Sequence, residues 1–119
     1  MAVLGLTFKA GTDDLREAPS INNVDLLLKN GANIYAYDPV GIENFKRKYP
    51  KQITYVENPK DALKGANVCF LFTEWEEIRT IKPEVYKNLM KTPLVYDGRN
   101  MYELDEMESV GVEYYSIGR

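Results

Sequence analysis

The chain has 119 residues, 45% of them hydrophobic and 28% charged, with a net charge of −3. That is the make-up of one soluble globular domain able to bury its own core, with no basic stripe for nucleic acid. No histidine and a single cysteine set aside a zinc site, thiol–imidazole catalysis and an internal disulfide. No apolar run approaches the roughly 20 residues that span a bilayer, and no leader is visible, so a cytoplasmic location is expected. Met1 stands directly against a buried-looking strand, which suggests an excised domain with an added methionine.

In chain order, Ala2 to Phe8 reads as a first strand, with Gly5 inside it. Ser20 to Lys29 reads as a helix, with Ile21, Val24, Leu27 and Leu28 on one face and Gly31 as its C-cap. Asn33 to Tyr37 is a second strand stopped by Asp38-Pro39. A short helix over 41–48 and a short strand over 53–56 follow. Asn58 caps a helix opened by Pro59 and closed by Gly65. Asn67 to Thr73 is the most apolar strand and belongs in mid-sheet, with Cys69 as a packed core thiol. One or two helices surround Pro83, and Pro93 to Tyr96 is a fifth strand ending in Asp97-Gly98-Arg99-Asn100. A helix over 103–109 precedes an edge-like strand over 112–117, along which Tyr114 and Tyr115 take opposite faces. Alternating strands and helices predict an α/β, Rossmann-like three-layer αβα sandwich with a mostly parallel sheet of five to six strands.

Right-handed crossovers bring the carboxyl ends of parallel strands to one rim, where ligands of such sheets dock. The rim gathers Phe8-Lys9, Asp38-Pro39, Thr73-Glu74-Trp75 and Asp97-Gly98-Arg99-Asn100. Lys9 and Arg99 there suit a phosphorylated or nucleotide ligand, Arg99 as a planar fork and Lys9 as a mobile point charge. The plain alternative of two solvated cations weighs about the same. Asp13, Asp14, Arg16 and Glu17 crowd the first loop either as ligand groups or as an ion-pair and turn network. Trp75 reads first as a helix-start packing residue and second as a stacking platform.

Two sharper patterns fail. A dinucleotide fingerprint needs closely spaced glycines in a tight first turn, and the stretch from Lys9 to Pro19 is too long. Asp38 sits where a ribose-binding acid would, but counts for little without that turn. A receiver-like signalling domain, with Asp38 or Asp13 accepting phosphate, matches the length. It lacks a lysine at the end of strand five and stays as an alternative.

Taken together, Gly5 to Ser20 (GLTFKAGTDDLREAPS), Tyr37-Asp38-Pro39, Phe72-Thr73-Glu74-Trp75 and Asp97-Gly98-Arg99-Asn100 resemble the C-terminal, UDP-binding domain of the nucleotide-sugar (UDP-glucose/GDP-mannose) dehydrogenases. The later segments lean toward the UDP-glucose 6-dehydrogenase branch, with UDP-N-acetylmannosamine and GDP-mannose enzymes as alternatives. The resemblance implies a single UDP-binding domain over 1–119, with an NAD-binding Rossmann domain and a central dimerisation region beyond this chain. It implies oxidation of a sugar C6 alcohol to a carboxylate through a thiohemiacetal on a cysteine outside this chain. No catalytic or metal-binding residue is therefore expected here, and Cys69 does not take that role. By position, Phe8, Lys9 and Arg99 would contact the UDP-sugar, and Arg16 would reach across to NAD. Asp13, Asp14 and Glu17 would shape the loop, and Ala10-Gly11 would loosen it. A homodimer or larger assembly of the whole polypeptide is implied, with neither nucleic acid nor membrane as partner.

Overall fold

A computed structural model of the chain describes residues 1–5, 24, 26–29, 31–39, 42–73 and 75–116. Six strands form one sheet: β1 (Ala2–Leu4), β2 (Ile34–Tyr37), β3 (Ile53–Tyr55), β4 (Cys69–Leu71), β5 (Leu94–Asp97) and β6 (Glu113–Ser116). Their order is β3-β2-β1-β4-β5-β6, with every pairing parallel. That is the doubly wound order of dinucleotide-binding sheets. A receiver domain uses a different order, 2-1-3-4-5. The signalling alternative is thereby corrected. The five labelled helices are α1 (Ile42–Lys48), α2 (Pro59–Leu63), α3 (Glu76–Arg79), α4 (Pro83–Leu89) and α5 (Leu104–Ser109). Val24 and residues 26–29 are also helical.

Alternation along the strands feeds two cores. Val3, Ile34, Ala36 and Ile53 pack with Val24, Phe45 and Tyr49 on one face. Ala2, Leu4, Cys69, Leu71, Val95 and Tyr114 pack on the other, with Leu63, Ile78, Tyr86 and Met107 from α2, α3, α4 and α5. Among the described residues the first core therefore draws, of the strands, on β3, β2 and β1 alone, while the second runs from Tyr37 of β2 across to β6. Polar atoms in the second core are paired. Tyr86 and Tyr102 hydroxyls lie 2.8 Å apart, and the Tyr102 hydroxyl is 2.9 Å from both the Ile78 and Ile81 carbonyls. A single hydroxyl proton can serve one carbonyl at a time, so Tyr86 is the donor to Tyr102.

Local chemistry explains the element ends. Asn58 Oδ1 accepts the Lys60 N–H at 2.9 Å, and Pro59 supplies the first helical residue without a stranded donor. Gly31, at φ +79°, ends the helical stretch, its N–H donating to Leu28 O while Ala32 N–H donates to Leu27 O. One reading needs correction: β1 ends at Leu4, and Gly5 lies just beyond it at φ +87°. A Cβ on Gly5 would sit 2.6 Å from Thr73 N and 2.7 Å from Thr73 Cβ. Only glycine satisfies both the backbone angle and that approach.

Candidate functional site

The carboxyl rim is held by backbone bonds that run from strand to strand. Gly5 N–H donates to Tyr37 O (2.8 Å), Phe72 N–H to Leu4 O (3.0 Å) and Gly98 N–H to Leu71 O (2.9 Å). The chain leaves β4 toward Ile78, in the second core, while Val24, one of the described helical residues between β1 and β2, lies in the first. Connections departing to opposite faces from adjacent strands leave a crevice between them, the usual ligand position in open α/β sheets.

Arg99 is the sequence-identified site residue that falls among the described residues. Phe8, Lys9 and Arg16 lie outside them, as do Asp13, Asp14 and Glu17. Arg99 follows β5 and is half-buried. Its Nε donates to Phe72 O at 2.9 Å, so the guanidinium folds back from β5 to the end of β4, beside the crevice. One bond from Nε fixes the plane of the fork and therefore the direction of its Nη donors.

What holds Arg99 is Asp97, a role the sequence did not reveal. Its carboxylate is buried, at 1% exposure, and accepts three bonds. Oδ1 takes Arg99 N–H at 2.8 Å; Oδ2 takes Met101 N–H at 2.6 Å and the Tyr114 hydroxyl at 2.7 Å. The turn so made passes through Asn100 at φ +54°, the left-handed region that asparagine tolerates. The sequence signal available was Asp-Gly-Arg-Asn at a strand end, a stretch rich in turn formers. It pointed to a turn without saying that the aspartate was its hub.

On the other side of β1, Asp38 is also buried, and its Oδ2 accepts Trp75 Nε1–H at 3.1 Å. Because the strand order is β2-β1-β4, this bond spans the end of β1 and clips the exit of β4 to the end of β2. Trp75 is the N-cap residue of α3, as its helix-start reading expects, and its indole tie to Asp38 is an addition. Asp38 thus serves the indole, and Thr73 crowds Gly5. Among the described residues, that crowded glycine and bonded acid are not the open glycine and outward-facing ribose acid of a dinucleotide site. Tyr37, at the same end of β2, has its phenol raised by burial first and then by the charges of Glu77 and Asp38.

Among the described residues, two grooves open on the β2–β3 side of the rim. One of about 290 Å³ is lined by Asp38, Ile42, Lys46, Tyr55 and Glu57. The other, about 640 Å³, is lined by Tyr37, Asn58, Lys60, Glu77 and Lys82. Arg99 borders neither. No cluster of three or more metal-ligating side chains occurs among the described residues. Cys69 is fully buried in β4, and burial pushes its thiol well up, which leaves it inert as a nucleophile.

Comparison with known proteins agrees with this geometry. Residues 2–104 match the family described as the UDP-glucose/GDP-mannose dehydrogenase family, UDP binding domain. The UDP-glucose 6-dehydrogenase YwqF of Bacillus subtilis (strain 168) is 46% identical over 119 residues, covering 100% of this chain and 27% of that protein. Among solved structures, a UDP-glucose dehydrogenase from Pyrobaculum islandicum aligns with a TM-score of 0.76 at 29% identity, covering 96% of this chain and 24% of the other. A UDP-D-ManNAc dehydrogenase from Pyrococcus horikoshii aligns at 0.78 and 26%, covering 99% and 25%. The chain thus spans about a quarter of the length of the relatives it matches.

Proposed function

The chain belongs to the UDP-glucose/GDP-mannose dehydrogenase family, and from that premise we propose that it is the UDP-sugar-binding lobe of an NAD-dependent UDP-glucose 6-dehydrogenase. Such an enzyme oxidises the C6 alcohol of UDP-glucose to UDP-glucuronate. The observation that carries the reading is Arg99, whose fork is turned onto the β4 end beside the crevice between β1 and β4. A diphosphate or a uracil carbonyl can accept from such a fork, while Asp97 holds its backbone still. Phe8 and Lys9 are proposed as the other substrate contacts, and Arg16 as a residue that reaches NAD.

Among the described residues, Thr73 fills the space beside Gly5 and Asp38 is bonded to Trp75, which speaks against a seat for NAD on this chain. The nicotinamide cofactor and the catalytic groups are assigned to the part of the polypeptide that the relatives carry beyond this region. By itself the lobe offers half a cleft, and half a cleft binds weakly because association must first offset lost translational freedom. The isolated chain is therefore inactive. No helix among the described residues is long and apolar enough to cross a membrane. We assign the whole protein to the cytoplasm, as a homodimer or larger assembly.

The test uses the polypeptide that includes the preceding reading frame, assayed by NADH absorbance with UDP-glucose, UDP-N-acetylmannosamine and GDP-mannose. Oxidation of UDP-glucose is expected, with KM raised about tenfold or more in Arg99→Ala, since a charge-assisted contact contributes roughly 1.5–3 kcal/mol. Preference for one of the other sugars would move the reading to another branch of the family. An unchanged KM in Arg99→Ala would remove its basis.

A further inference from the structure

The register places Ala36, Val3, Phe70, Tyr96 and Tyr115 in one row across β2, β1, β4, β5 and β6, on a single face of the sheet. The two halves of that row have different surroundings. Ala36 and Val3 are fully buried in the core with Val24 and Phe45. Phe70, Tyr96 and Tyr115 belong to neither core, and Tyr96 and Tyr115 are 42% and 49% exposed. Their rings stack side by side, Phe70 to Tyr96 at 5.5 Å and Tyr96 to Tyr115 at 5.3 Å. Phe72 extends the stack toward the rim, 6.0 Å from Phe70.

β4 and β5 are interior strands of an all-parallel sheet, a setting normally covered on both faces. Here α2, α3, α4 and α5 all contribute to the core on the opposite face. The two tyrosines alone leave roughly 200 Å² of aromatic side chain in water. From β4 to β6 is two strand spacings, about 10 Å, the width of one helix.

We infer that this aromatic row is the seat of one amphipathic helix from the part of the same polypeptide lying beyond these 119 residues, which completes the second layer of the sandwich over β4, β5 and β6. The inference rests on the reading of the chain as one lobe of a longer dehydrogenase. The chain amounts to 27% of its Bacillus relative, so most of such a polypeptide is available to supply the helix. The chemistry of the seat describes the occupant. An apolar stripe lies over Phe70 and Tyr96. A lysine or arginine flank faces the β6 edge, where Glu113 accepts the Tyr115 hydroxyl at 2.7 Å.

The experiment uses the longer polypeptide with Tyr96→Cys or, separately, Tyr115→Cys, so that one poorly folding variant does not decide the matter. Alkylation by a maleimide is read peptide by peptide against Glu108→Cys, an exposed position on α5, while buried Cys69 stays silent. Both row positions should react roughly fiftyfold or more slowly than the reference, as occluded thiols do. A benzophenone carried on the same cysteines should cross-link to a peptide from outside the 119 residues. Reaction as fast as at Glu108→Cys would overturn the inference. So would a cross-link to residues 6–23, or to a second copy in a mixture of ¹⁴N- and ¹⁵N-labelled protein. NADH formation by the unsubstituted polypeptide separates the two ideas. Occluded cysteines without sugar oxidation would defeat the dehydrogenase reading alone, and oxidation with freely reactive cysteines would defeat the docking surface alone.

Discussion

Asp97→Asn is the substitution that asks most of the site geometry. The carboxylate accepts from Arg99 N–H, Met101 N–H and the Tyr114 hydroxyl at 2.8, 2.6 and 2.7 Å. An asparagine keeps one acceptor oxygen and turns an NH₂ group toward the other side. With the amide oxygen on Arg99, the Tyr114 hydroxyl can rotate to the Tyr102 carbonyl, 3.1 Å away, but Met101 N–H faces a donor. With the amide flipped, Arg99 N–H faces a donor instead. In both rotamers one backbone N–H is stranded. A bond to a charged acceptor is lost (roughly 1.5–3 kcal/mol) and a part-buried donor stays unpaired (roughly 1–3 kcal/mol). The two overlap, so the expected loss is about 3 kcal/mol. That is a large share of a typical domain's 5–15 kcal/mol or so, and amounts to a fall in Tm of roughly 10 °C. Urea unfolding followed by far-UV circular dichroism measures it. Tyr114→Phe alone should lose about 1 kcal/mol, and the double variant should lose less than the sum of the singles, because the partners share one network. Asp97→Asn within about 0.5 kcal/mol of the parent would refute the hub.

Gly5→Ala should destabilise by about 3 kcal/mol, since φ is +87° and Thr73 backbone stands 2.6 Å from the added methyl. Gly31→Ala, with a similar φ and nothing within 4 Å, should lose only about 1 kcal/mol; equal losses in the same unfolding assay would contradict the close approach. Removing the α2 cap by Asn58→Ala should lose about 1 kcal/mol, and a neutral result would discount the bond to Lys60 N–H. Burial lifts the phenols of Tyr55, to about 12, and of Tyr86 and Tyr102 above their ordinary value of 10. The folded state therefore holds these protons more tightly than the unfolded chain. Their contribution is intact below about pH 10 and lost as pH rises through the folded values. Absorbance at 295 nm should show a late phenolate step coincident with loss of ellipticity; one smooth titration with ellipticity unchanged would refute it.

Much of the fold was legible because its signals are local. Asn58-Pro59, Gly65 and Gly31 marked helix ends through caps that act within a turn, and apolar runs marked all six strands. The end of β1 was not legible. The run Ala2 to Phe8 continues past Gly5 without a change in character, and only the approach of Thr73, far along the chain, makes that glycine a strand terminus. The bond from Trp75 to Asp38 was hidden for the same reason, since 37 residues separate the partners. Tyr114 and Tyr115 alternate in and out as adjacent residues of an edge strand do, at 4% and 49% exposure. The stacking of Tyr115 on Tyr96 and Phe70 depends on register, which no single strand's sequence carries. At the site, Arg99 was visible as a cation at a strand end. The direction of its fork depends on Phe72 O and on Asp97.

The central claim is that a uridine diphosphate meets this domain at the Arg99 end of the rim. ¹H–¹⁵N spectra of the 119-residue chain, recorded as UDP is raised through the millimolar range, test it most directly. The account predicts saturable shifts at the amides of Thr73, Gly98, Arg99 and Asn100, abolished by Arg99→Ala. Shifts gathered instead around Lys46, Tyr55 and Lys60 in the β2–β3 grooves, or a titration indifferent to Arg99→Ala, would contradict it.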